Sequence, residues 1–434
     1  MKLGISQKSL LEALDRGAMA ALSDEAQADT SNVSVLLKSV TIRANDKELV
    51  FESATKLLAV RHSIPITKDS GIEVKEAGEV TVPAKDLYDW ANKQGDCRIG
   101  MAYTALEKPE AVTPVEEGKS DKLSIKKLGN VKLVSRDSTK TGTKGSVESY
   151  STENSPVVNF TPDSKPLFSA PTDQISNGIK SIISATLKKD YEHIFDGVSF
   201  QQKSNKLYMI ATDMARIATY IVTGAEDLTL DEAPEEKEES KGNYNVVINA
   251  KIFQDFIKLC DTNGKISVYY DIKTNKAFVS QPNTIARITT PDRDKLGKIP
   301  PVTLVLNKKY EDLFSCPTKL LKLRLDSLLI VNKESVQFAF TKGSDQVAIN
   351  AVSESGKAPQ VASVPANNCK KDVKIVWNIQ HLMDILNSIE DDESKFMIPV
   401  GATDSVKICG KSDSNLTYVS MSIETHKYNT DKTE

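Results

Sequence analysis

The sequence has little of the material from which metal sites, disulfide frameworks and membrane anchors are built. Its 434 residues include five cysteines, with no CxxC pair, and four histidines, none in metal-ligand spacing with another histidine or cysteine. No run of about 18 apolar residues occurs, and residues 1–6 lack the apolar core of a signal peptide. We therefore expect free thiols in a reducing cytoplasm, with no metal site and no membrane-spanning segment.

Recognisable catalytic motifs are also missing. The sequence contains no phosphate-binding GxxxxGK[ST] loop, no HExxH pair and no nucleophile elbow. Its 59 acidic residues are plentiful, but none falls within a catalytic motif. We therefore predict a protein that is not an enzyme and needs no cofactor.

The charge is close to balanced, with a formal net value of -3. Taken alone, this value argues weakly against nucleic-acid binding, because most such proteins carry a basic surface. Acidic residues are concentrated in the run at 232–239, which is typical of a solvated loop. Without that run, the remainder is slightly basic.

An internal repeat is the most informative feature that is present. The segments at 82–90, 248–256 and 377–385 each lead from a strand-like run into a helix start. Each has an apolar residue sixth, an aspartate eighth and a large apolar residue ninth. Because the segments recur at domain-sized intervals, we predict three copies of one domain. The predicted domains are residues 1–163, 164–301 and 302–434.

Each predicted domain also opens with a second helix. Ser6 can cap the first, and Thr172 or Asp173 can cap the second. The third is predicted over 308–314, where Pro317 would cut or bend it. The remainder reads as short strands with alternating or β-branched residues. The predicted fold class is therefore α+β, with two helices packed on antiparallel sheets in each of three repeats.

Four segments resemble one known family, the bacterial β sliding clamp, which is the DNA polymerase III beta subunit. Asp-Tyr-Glu-His-Ile-Phe-Asp-Gly-Val at 190–198 and Met-Ile-Ala-Thr-Asp-Met-Ala-Arg-Ile-Ala at 209–218 resemble its middle domain. Val-Pro-Ala-Lys at 82–85 resembles part of its first domain, and Tyr-Val-Ser-Met-Ser-Ile at 418–423 resembles its closing strand. The resemblance extends over nearly the whole chain and indicates a divergent member.

The resemblance implies a ring of clamp domains with helices lining the hole and sheets outside. Such a ring, built as a homodimer, encircles double-stranded DNA as a processivity factor and tethers the replicative DNA polymerase. The alternative from the repeat alone is a structural or protein-interaction module with no DNA role. A ring that slides needs only modest, sequence-independent contacts to phosphates, so a small negative net charge is compatible with it.

Basic residues on the predicted helices are the candidate DNA contacts. Lys180 and Lys188 share a helix face that points away from the apolar stripe. The family resemblance adds Lys85, Lys189 and His193. The alternative is an ordinary solvated helix face. The full set is Arg16, Lys85, Lys180, Lys188, Lys189, His193, Lys251 and Lys258.

The resemblance also implies an apolar groove between the middle and last domains. In the family, this groove holds short peptide motifs of the DNA polymerase and the clamp loader. A methionine and branched aliphatic side chains would give it an adaptable surface. The alternative is that these are ordinary strand-core positions. The implied groove residues are Phe195, Thr212, Arg216, Ile217, Pro291, Val419, Met421 and Ile423.

Overall fold

The chain folds into two compact units in a computed structural model. The first unit is Met1–Leu167 with Asp255–Thr290, and the second is Phe168–Gln254 with Pro291–Glu434. The described residues are 1–29, 34–111, 125–139, 141–151, 158–162, 165–187, 194–226, 229, 246–291, 299–300, 302–330, 334–351, 360–367, 369–401, 404–412 and 415–423.

One order of elements occurs three times along the chain: strand, helix, three strands, strand, helix, three strands. The first run, which also contains three short helices and an additional strand, is β1 (Lys2–Ser6), α1 (Gln7–Gly17), α2 (Met19–Leu22), α3 (Asp24–Ala28), α4 (Ser34–Leu37), β2 (Ser39–Ala44), β3 (Glu48–Ala54), β4 (Leu58–Pro65), β5 (Glu73–Glu76), β6 (Gly78–Pro83), α5 (Ala84–Asn92), β7 (Arg98–Ala111), β8 (Lys126–Arg136) and β9 (Lys144–Tyr150).

The second run follows the same order. It comprises β10 (Phe168–Pro171), α6 (Thr172–Ile182), β11 (Gly197–Lys203), β12 (Lys206–Thr212), β13 (Arg216–Val222), β14 (Val246–Asn249), α7 (Ala250–Lys258), β15 (Lys265–Asp271), β16 (Lys276–Gln281) and β17 (Thr284–Thr289). Two 3₁₀ turns, Ile183–Ala185 and Ile194–Asp196, lie between α6 and β11.

The third run begins after a short helix and completes the pattern. It comprises α8 (Thr303–Leu306), β18 (Tyr310–Pro317), α9 (Thr318–Leu329), β19 (Ser335–Phe340), β20 (Gln346–Ala351), β21 (Gln360–Pro365), β22 (Val373–Asn378), α10 (Ile379–Ser388), β23 (Glu393–Pro399), β24 (Ser405–Gly410) and β25 (Leu416–Met421). The threefold pattern of two helices with antiparallel strands confirms the predicted fold class. The domain boundaries after residues 163 and 301 stay a prediction.

The repeated helices begin in two ways that the sequence explains. Ser6, Asn249 and Asn378 use side-chain oxygens to accept a backbone N–H three residues ahead. These bonds satisfy a donor that the first helical turn leaves without a partner. Pro83 and Pro317 stand immediately before α5 and α9 with φ of -55° and -61°. Proline fixes φ near these values and has no backbone N–H of its own.

Two predicted helix starts were wrong. Residues 310–317 form strand β18 instead of a helix over 308–314, and α9 begins directly after Pro317. Pairing of β18 with β23 along its length outweighs the local helical preference of this segment. In the second repeat, Pro171 precedes α6 and no side chain caps it, so neither Thr172 nor Asp173 is the cap.

The first unit is built on one long antiparallel sheet. Its strands follow the order β15-β16-β17-β4-β3-β2-β6-β9-β8-β7-β1-β5. The main core of this unit includes side chains from α1, α5 and the sheet, among them Leu10, Leu14, Val82, Leu87 and Ile99. All five are fully buried. The alternation of buried and exposed side chains along β7 leaves the other face of that strand outside the core.

The second unit has two antiparallel sheets. One follows the order β14-β11-β12-β13-β25-β24-β23-β18, and the other β21-β20-β19-β22. Aromatic side chains fill much of the interior, and Trp377 lies edge-on to Phe338 with ring centroids 4.8 Å apart. Phe314 stacks on Phe396 at 4.3 Å. The pairing of β13 with β25 makes one continuous sheet from the second and third repeats.

Candidate functional site

Predicted groove residues meet where strands β13 and β25 pair. Ile217 and Val419 stand directly opposite each other in the antiparallel register. Because successive side chains alternate between the faces of a strand, Met421 shares their face and Tyr418 lies on the other. Met421 keeps 55% of its surface exposed, whereas Ile217 and Val419 are half-buried. The sheet therefore presents a partly open apolar strip, which we call the β13–β25 face.

A small apolar cluster continues the β13–β25 face toward β12. It consists of the buried Tyr208, Ile210 and Val302 with the half-buried Ile217 and Ile221. Gln201 holds the segment that carries Val302, because its Oε1 accepts the Val302 N–H at 2.8 Å. Its Nε2 donates to the Pro300 carbonyl at 3.3 Å. One buried amide thus holds both Pro300 and Val302 against the sheet.

The turn between β12 and β13 lies beside this face. Thr212 Oγ1 donates to the Arg216 carbonyl at 2.8 Å and accepts the Met214 N–H at 3.2 Å. Met214 has φ of 72°, a left-handed conformation that is uncommon for residues other than glycine, and it is 65% exposed. The Met421 N–H donates to the Ala215 carbonyl at 2.9 Å. Met214 is therefore a second exposed methionine, and it lies in the turn that leads into β13.

Arg216 points away from the apolar face, toward the helices, and is only 4% exposed. Its Nε donates to Asp213 Oδ2 at 2.9 Å. Its Nη1 donates to the His381 carbonyl at 3.0 Å. Its Nη2 donates to Asp384 Oδ2 at 3.1 Å and also to the Ser184 carbonyl. The structure therefore separates Arg216 from the other groove residues on β13 and β25 and makes it a link between the turn and two helical segments.

Tyr418 adds a second link on the same side of the sheet as Arg216. Its hydroxyl donates to the Ser181 carbonyl and lies 3.1 Å from the hydroxyls of both Ser184 and Ser388. Burial raises the pKa of Tyr418, so the phenol stays protonated. Burial and the Arg216 guanidinium lower the pKa of His381 nearby. These contacts tie α6 and α10 to the sheet beneath the β13–β25 face.

The remaining predicted groove residues, Phe195, Pro291 and Ile423, lie in the same unit but outside the paired strands β13 and β25. Phe195 is half-buried against Ile194, Val247 and Ile299, a cluster separate from that of Ile217. Pro291 is buried. Ile423 is half-buried, and its N–H donates to the Val376 carbonyl at 2.8 Å. The structure therefore brings Thr212, Ile217, Val419 and Met421 together, and places Phe195 in a neighbouring cluster.

The predicted DNA contacts that the structure describes lie on helices. Lys85 is exposed on α5, Lys180 on α6, and Lys251 and Lys258 on α7. The seven-residue spacing of the last two puts them on one face of α7. Lys258 pairs with Asp255 at 2.9 Å, and the lysine side chain remains 54% exposed. These lysines are accessible to a polyanion, and their role in DNA binding stays a prediction.

Arg16 differs from the lysines, because it is half-buried on α1 and already has a structural partner. Its Nε donates at 3.1 Å to the carbonyl of Leu259, just beyond the end of α7. A cation at the C-terminal end of a helix is favourable because the last carbonyls have no helical partners. Lys188, Lys189, His193 and the acidic run at 232–239 lie outside the described residues.

Two further observations concern other kinds of site. Within the described ranges, no group of three or more His, Cys, Asp or Glu side chains could hold a metal ion. Across those same ranges, none of the helices combines the length and the apolar character needed to cross a membrane.

Sequence reasoning missed several residues that shape the site. Asp384 occupies the eighth position of the third repeat, but its pairing with Arg216 depends on a contact across 168 residues. Tyr418 lay within the resembling segment at 418–423, yet no local pattern indicated its buried hydroxyl contacts. Gln201 gave no signal, since a glutamine in a strand is ordinarily exposed. Met214 was passed over because its backbone conformation is visible only in the structure.

Comparison with known proteins gives one consistent result. No protein-family model matches the chain. Among curated proteins, the chain is similar to the beta sliding clamp of Haemophilus influenzae, with 22% identity over 253 residues, covering 56% of this chain and 63% of that protein. It is also similar to the beta sliding clamp of Proteus mirabilis, with 21% identity over 257 residues, covering 58% and 64%. The match spans less than two thirds of these relatives.

Solved structures share the fold over nearly the full chain. The DNA polymerase III subunit beta from Pseudomonas aeruginosa superposes with a TM-score of 0.73 at 16% identity, covering 98% of this chain and 100% of that one. The DNA polymerase sliding clamp from Bacillus subtilis gives 0.73 at 17% identity, with the same coverage. The DNA polymerase III beta chain from Streptococcus pneumoniae gives 0.74 at 14% identity, again covering 98% and 100%. The fold is that of the bacterial sliding clamps.

Proposed function

We propose that this chain, a divergent relative of the bacterial β sliding clamps, is itself a DNA sliding clamp. It would act as a non-catalytic processivity factor that encircles duplex DNA and tethers a replicative DNA polymerase. The observation that carries the proposal is the clamp fold, shared over 98% of the chain at a TM-score of 0.73. The rival proposal, an interaction module without a DNA role, explains the repeats but gives no reason for this particular fold.

Two strands that each have one largely unpaired side support closure of a ring by two chains. Strand β9 pairs with β8 along most of its length and meets β6 at Thr81–Tyr150 only. Strand β21 pairs with β20 and is the last strand of its sheet. Unpaired backbone groups on such edges favour pairing with another chain. We propose that β9 of each chain pairs with β21 of the other, which closes a symmetric homodimer.

The exposed lysines on α5, α6 and α7 suit the DNA role. A sliding ring stays on DNA by topology and therefore does not need high affinity. Each strong phosphate contact would release counterions and make binding tighter and more dependent on salt. A few exposed lysines within a chain of net charge -3 are sufficient for sequence-independent contact without a strong grip.

We predict that the protein in solution has the mass of two chains, against 47.6 kDa for one. Once a clamp loader has placed it on closed circular DNA, it should remain bound through gel filtration in high salt. Cutting the circle once should release it, because the topological link is lost. The measurements are multi-angle light scattering and retention of labelled protein on circular and linear DNA.

The control for this experiment is a nicked circle, which stays topologically closed around the ring and should retain the protein. A protein that stays monomeric at high concentration would contradict the proposal. So would equal retention on circular and linear DNA, which indicates simple affinity.

Replacing Lys85, Lys180 and Lys251 by glutamate should slow loading without loosening the protein once it is on the circle.

We further propose that the β13–β25 face binds a short apolar peptide segment of the polymerase or loader. The exposed Met421 and Met214 and the half-buried Ile217 and Val419 support this role. Methionine side chains adapt to different partners because they are flexible and polarizable. A sheet face that is buried beneath and partly open above can hold such a segment without rearrangement of the backbone.

Charged substitutions on this face should abolish the binding of apolar ligands. The solved structure of a Pseudomonas aeruginosa sliding clamp is bound to griselimycin, which provides a probe. We expect Ile217→Asp combined with Met421→Asp to weaken griselimycin binding by more than about tenfold, because burying a carboxylate without a partner is costly. Isothermal titration calorimetry measures this change.

Ile330→Asp is the matched control, because Ile330 is an apolar residue that is 82% exposed in the same unit. It should leave griselimycin binding and the mass of the dimer unchanged. Unaltered binding by the double variant, with the fold verified by circular dichroism, would show that the ligand binds elsewhere.

A further inference from the structure

A basic depression lies on the face of strands β5, β1, β7 and β8 that points away from the core of the first unit. It encloses about 470 Å³. Its floor includes Gly4 and Gly100, which stand directly opposite each other in the β1–β7 pair. The missing side chains at these two positions leave the hollow. We use the name basic depression for this hollow and the cations that line it, which are Lys2, Lys75, Arg98, Lys132 and Arg136.

The two glycines do different things in the depression. A Cβ at Gly4 would lie 3.1 Å from Arg98 Nε, so the absence of a side chain lets the Arg98 guanidinium lie across the strand. That guanidinium is held in place by the Gly71 carbonyl at 3.1 Å and by Glu73 at 3.3 Å. A Cβ at Gly100 would meet only the Val134 carbonyl oxygen, at 3.7 Å. The space above Gly100 is therefore open to a ligand.

Positive charge is in excess around the depression. Glu73 is the only carboxylate among the described residues that line it, and it is shared by Arg98 and Lys75. No ion pair joins Lys2, Lys132 or Arg136 to another residue within the described part of the chain. All three residues are exposed. In a protein of net charge -3, this is a local concentration of cations that acidic groups of another molecule can neutralise.

The register of the strands arranges the cations in two pairs. Lys2 and Lys132 flank Ala102 in one row, and Arg98 stands opposite Arg136 in another. The rows are four residues apart along β7, which is roughly 13 Å at the usual rise of a strand. An extended peptide has the same rise, so carboxylates at positions i and i+4 would match the two pairs. Small or apolar residues between them would lie over Gly100 and Val134.

We propose that the basic depression binds an extended acidic segment of a partner protein, with carboxylates at i and i+4 around a small apolar centre. The floor favours a peptide over single-stranded nucleic acid, because none of the lining residues that the structure describes is aromatic, and a base would need such a side chain to stack on. The guanidiniums of Arg98 and Arg136 suit carboxylates, which they can bind through two parallel hydrogen bonds. This site is distinct from the β13–β25 face, which lies in the other unit.

The test uses the full chain and a fluorescein-labelled peptide, Glu-Glu-Val-Ala-Val-Glu-Glu. We expect binding by fluorescence anisotropy that weakens as salt is added, and a loss of about tenfold or more when glutamine replaces every glutamate of the peptide. Lys2→Glu with Lys132→Glu should weaken binding by about tenfold or more. Lys47→Glu with Lys68→Glu makes the same charge change at exposed positions of the same unit and should have no such effect.

Gly100→Val provides a second variant that changes no charge. It fills the depression at a position where a Cβ has ordinary contacts, and valine is favoured in strands. We expect it to fold and to weaken peptide binding by about tenfold or more.

Binding that is unchanged in both Gly100→Val and the Lys2 and Lys132 double variant would overturn the proposal. Displacement of the peptide by a thymidine decanucleotide but not by excess unlabelled peptide would also overturn it, in favour of nucleic acid. Tighter binding of a peptide with the sequence of residues 231–240 would replace the partner protein by a second copy of this chain.

Discussion

Replacing Arg216 by alanine is expected to lower the free energy of unfolding of the second unit by about 3–5 kcal/mol, the usual cost of breaking a buried ion pair from one side. The guanidinium is 4% exposed and donates to two carboxylates and two carbonyls. Without it, Asp213 and Asp384 lose their cationic partner while only 8% and 24% exposed. The carbonyls of Ser184 and His381 lose a donor as well. Unpaired buried groups of this kind account for most of the expected loss.

The two tryptophans make this prediction measurable for one unit at a time. Trp377 is 1% exposed in the second unit, and Trp90 lies in the first. In a Trp90→Phe background, fluorescence during urea unfolding reports on the second unit, so the two units need not unfold together. Arg216→Lys should recover only part of the stability, because an ammonium keeps the charge but cannot make the same planar set of hydrogen bonds.

An exposed ion pair provides the control for Arg216. Lys319→Ala removes the pair with Asp392 in the same unit, whose side chains are 88% and 91% exposed, and should change stability by less than about 1 kcal/mol. If Arg216→Ala had an equally small effect, the network would be without importance for the fold. If it instead abolished griselimycin binding at unchanged stability, Arg216 would contact the ligand directly, as the family resemblance implied.

The position of Arg216 shows what the sequence could and could not predict. The Ala-Thr-Asp segment and Arg216 were recognisable from the sequence, and the family resemblance implied that Ile217 and Val419 lie in one groove. In the structure these two residues stand directly opposite each other in the pairing of β13 with β25. That pairing joins residues about two hundred positions apart, so no local pattern indicates it. The direction of the Arg216 side chain depends on Ser184, His381 and Asp384, which reach the turn only through the fold.

Local rules worked for the start of the first helix, but they named the wrong cap for α6 and failed where a neighbouring strand decided the outcome. Ser6 behaves as an ordinary helix cap and was identified as one from the sequence. The predicted helix over 308–314 was wrong, because the local preference of this segment is weak and the pairing of β18 with β23 is visible only in three dimensions. The basic depression was missed for a similar reason, since its cations come from four strands.

Acidification from pH 6.5 to pH 4 is expected to cost the first unit up to about 3 kcal/mol through His62 alone. His62 is 5% exposed, and its Nδ1 lies 2.8 Å from Thr284 Oγ1 across the β4–β17 pair. Burial, and then the charge of Arg16, lower the pKa of His62 from 6.5 to about 4. The imidazole is therefore neutral in the folded state over a range in which the unfolded chain has already bound the proton.

The direction of this effect follows from where the proton binds first. Above pH 6.5 neither state is protonated at His62, so the residue imposes no penalty. As the pH falls, the unfolded state gains a proton that the folded state does not accept until about pH 4, and stability decreases throughout that interval. Below pH 4 both states carry the proton, and His62 contributes no further change.

His62→Gln isolates the effect, because the amide can still bond to Thr284 but does not titrate. In a Trp377→Phe background, Trp90 reports urea unfolding of the first unit at pH 7, 5.5 and 4.5. The difference in stability between the parent and His62→Gln should shift in favour of the variant as the pH falls, by up to about 3 kcal/mol in total. A difference that is constant with pH would mean that His62 takes up a proton in the folded state as readily as in the unfolded chain. The β4–β17 pair would then tolerate a second cation beside Arg16, and the acid sensitivity of the first unit would have to come from its carboxylates.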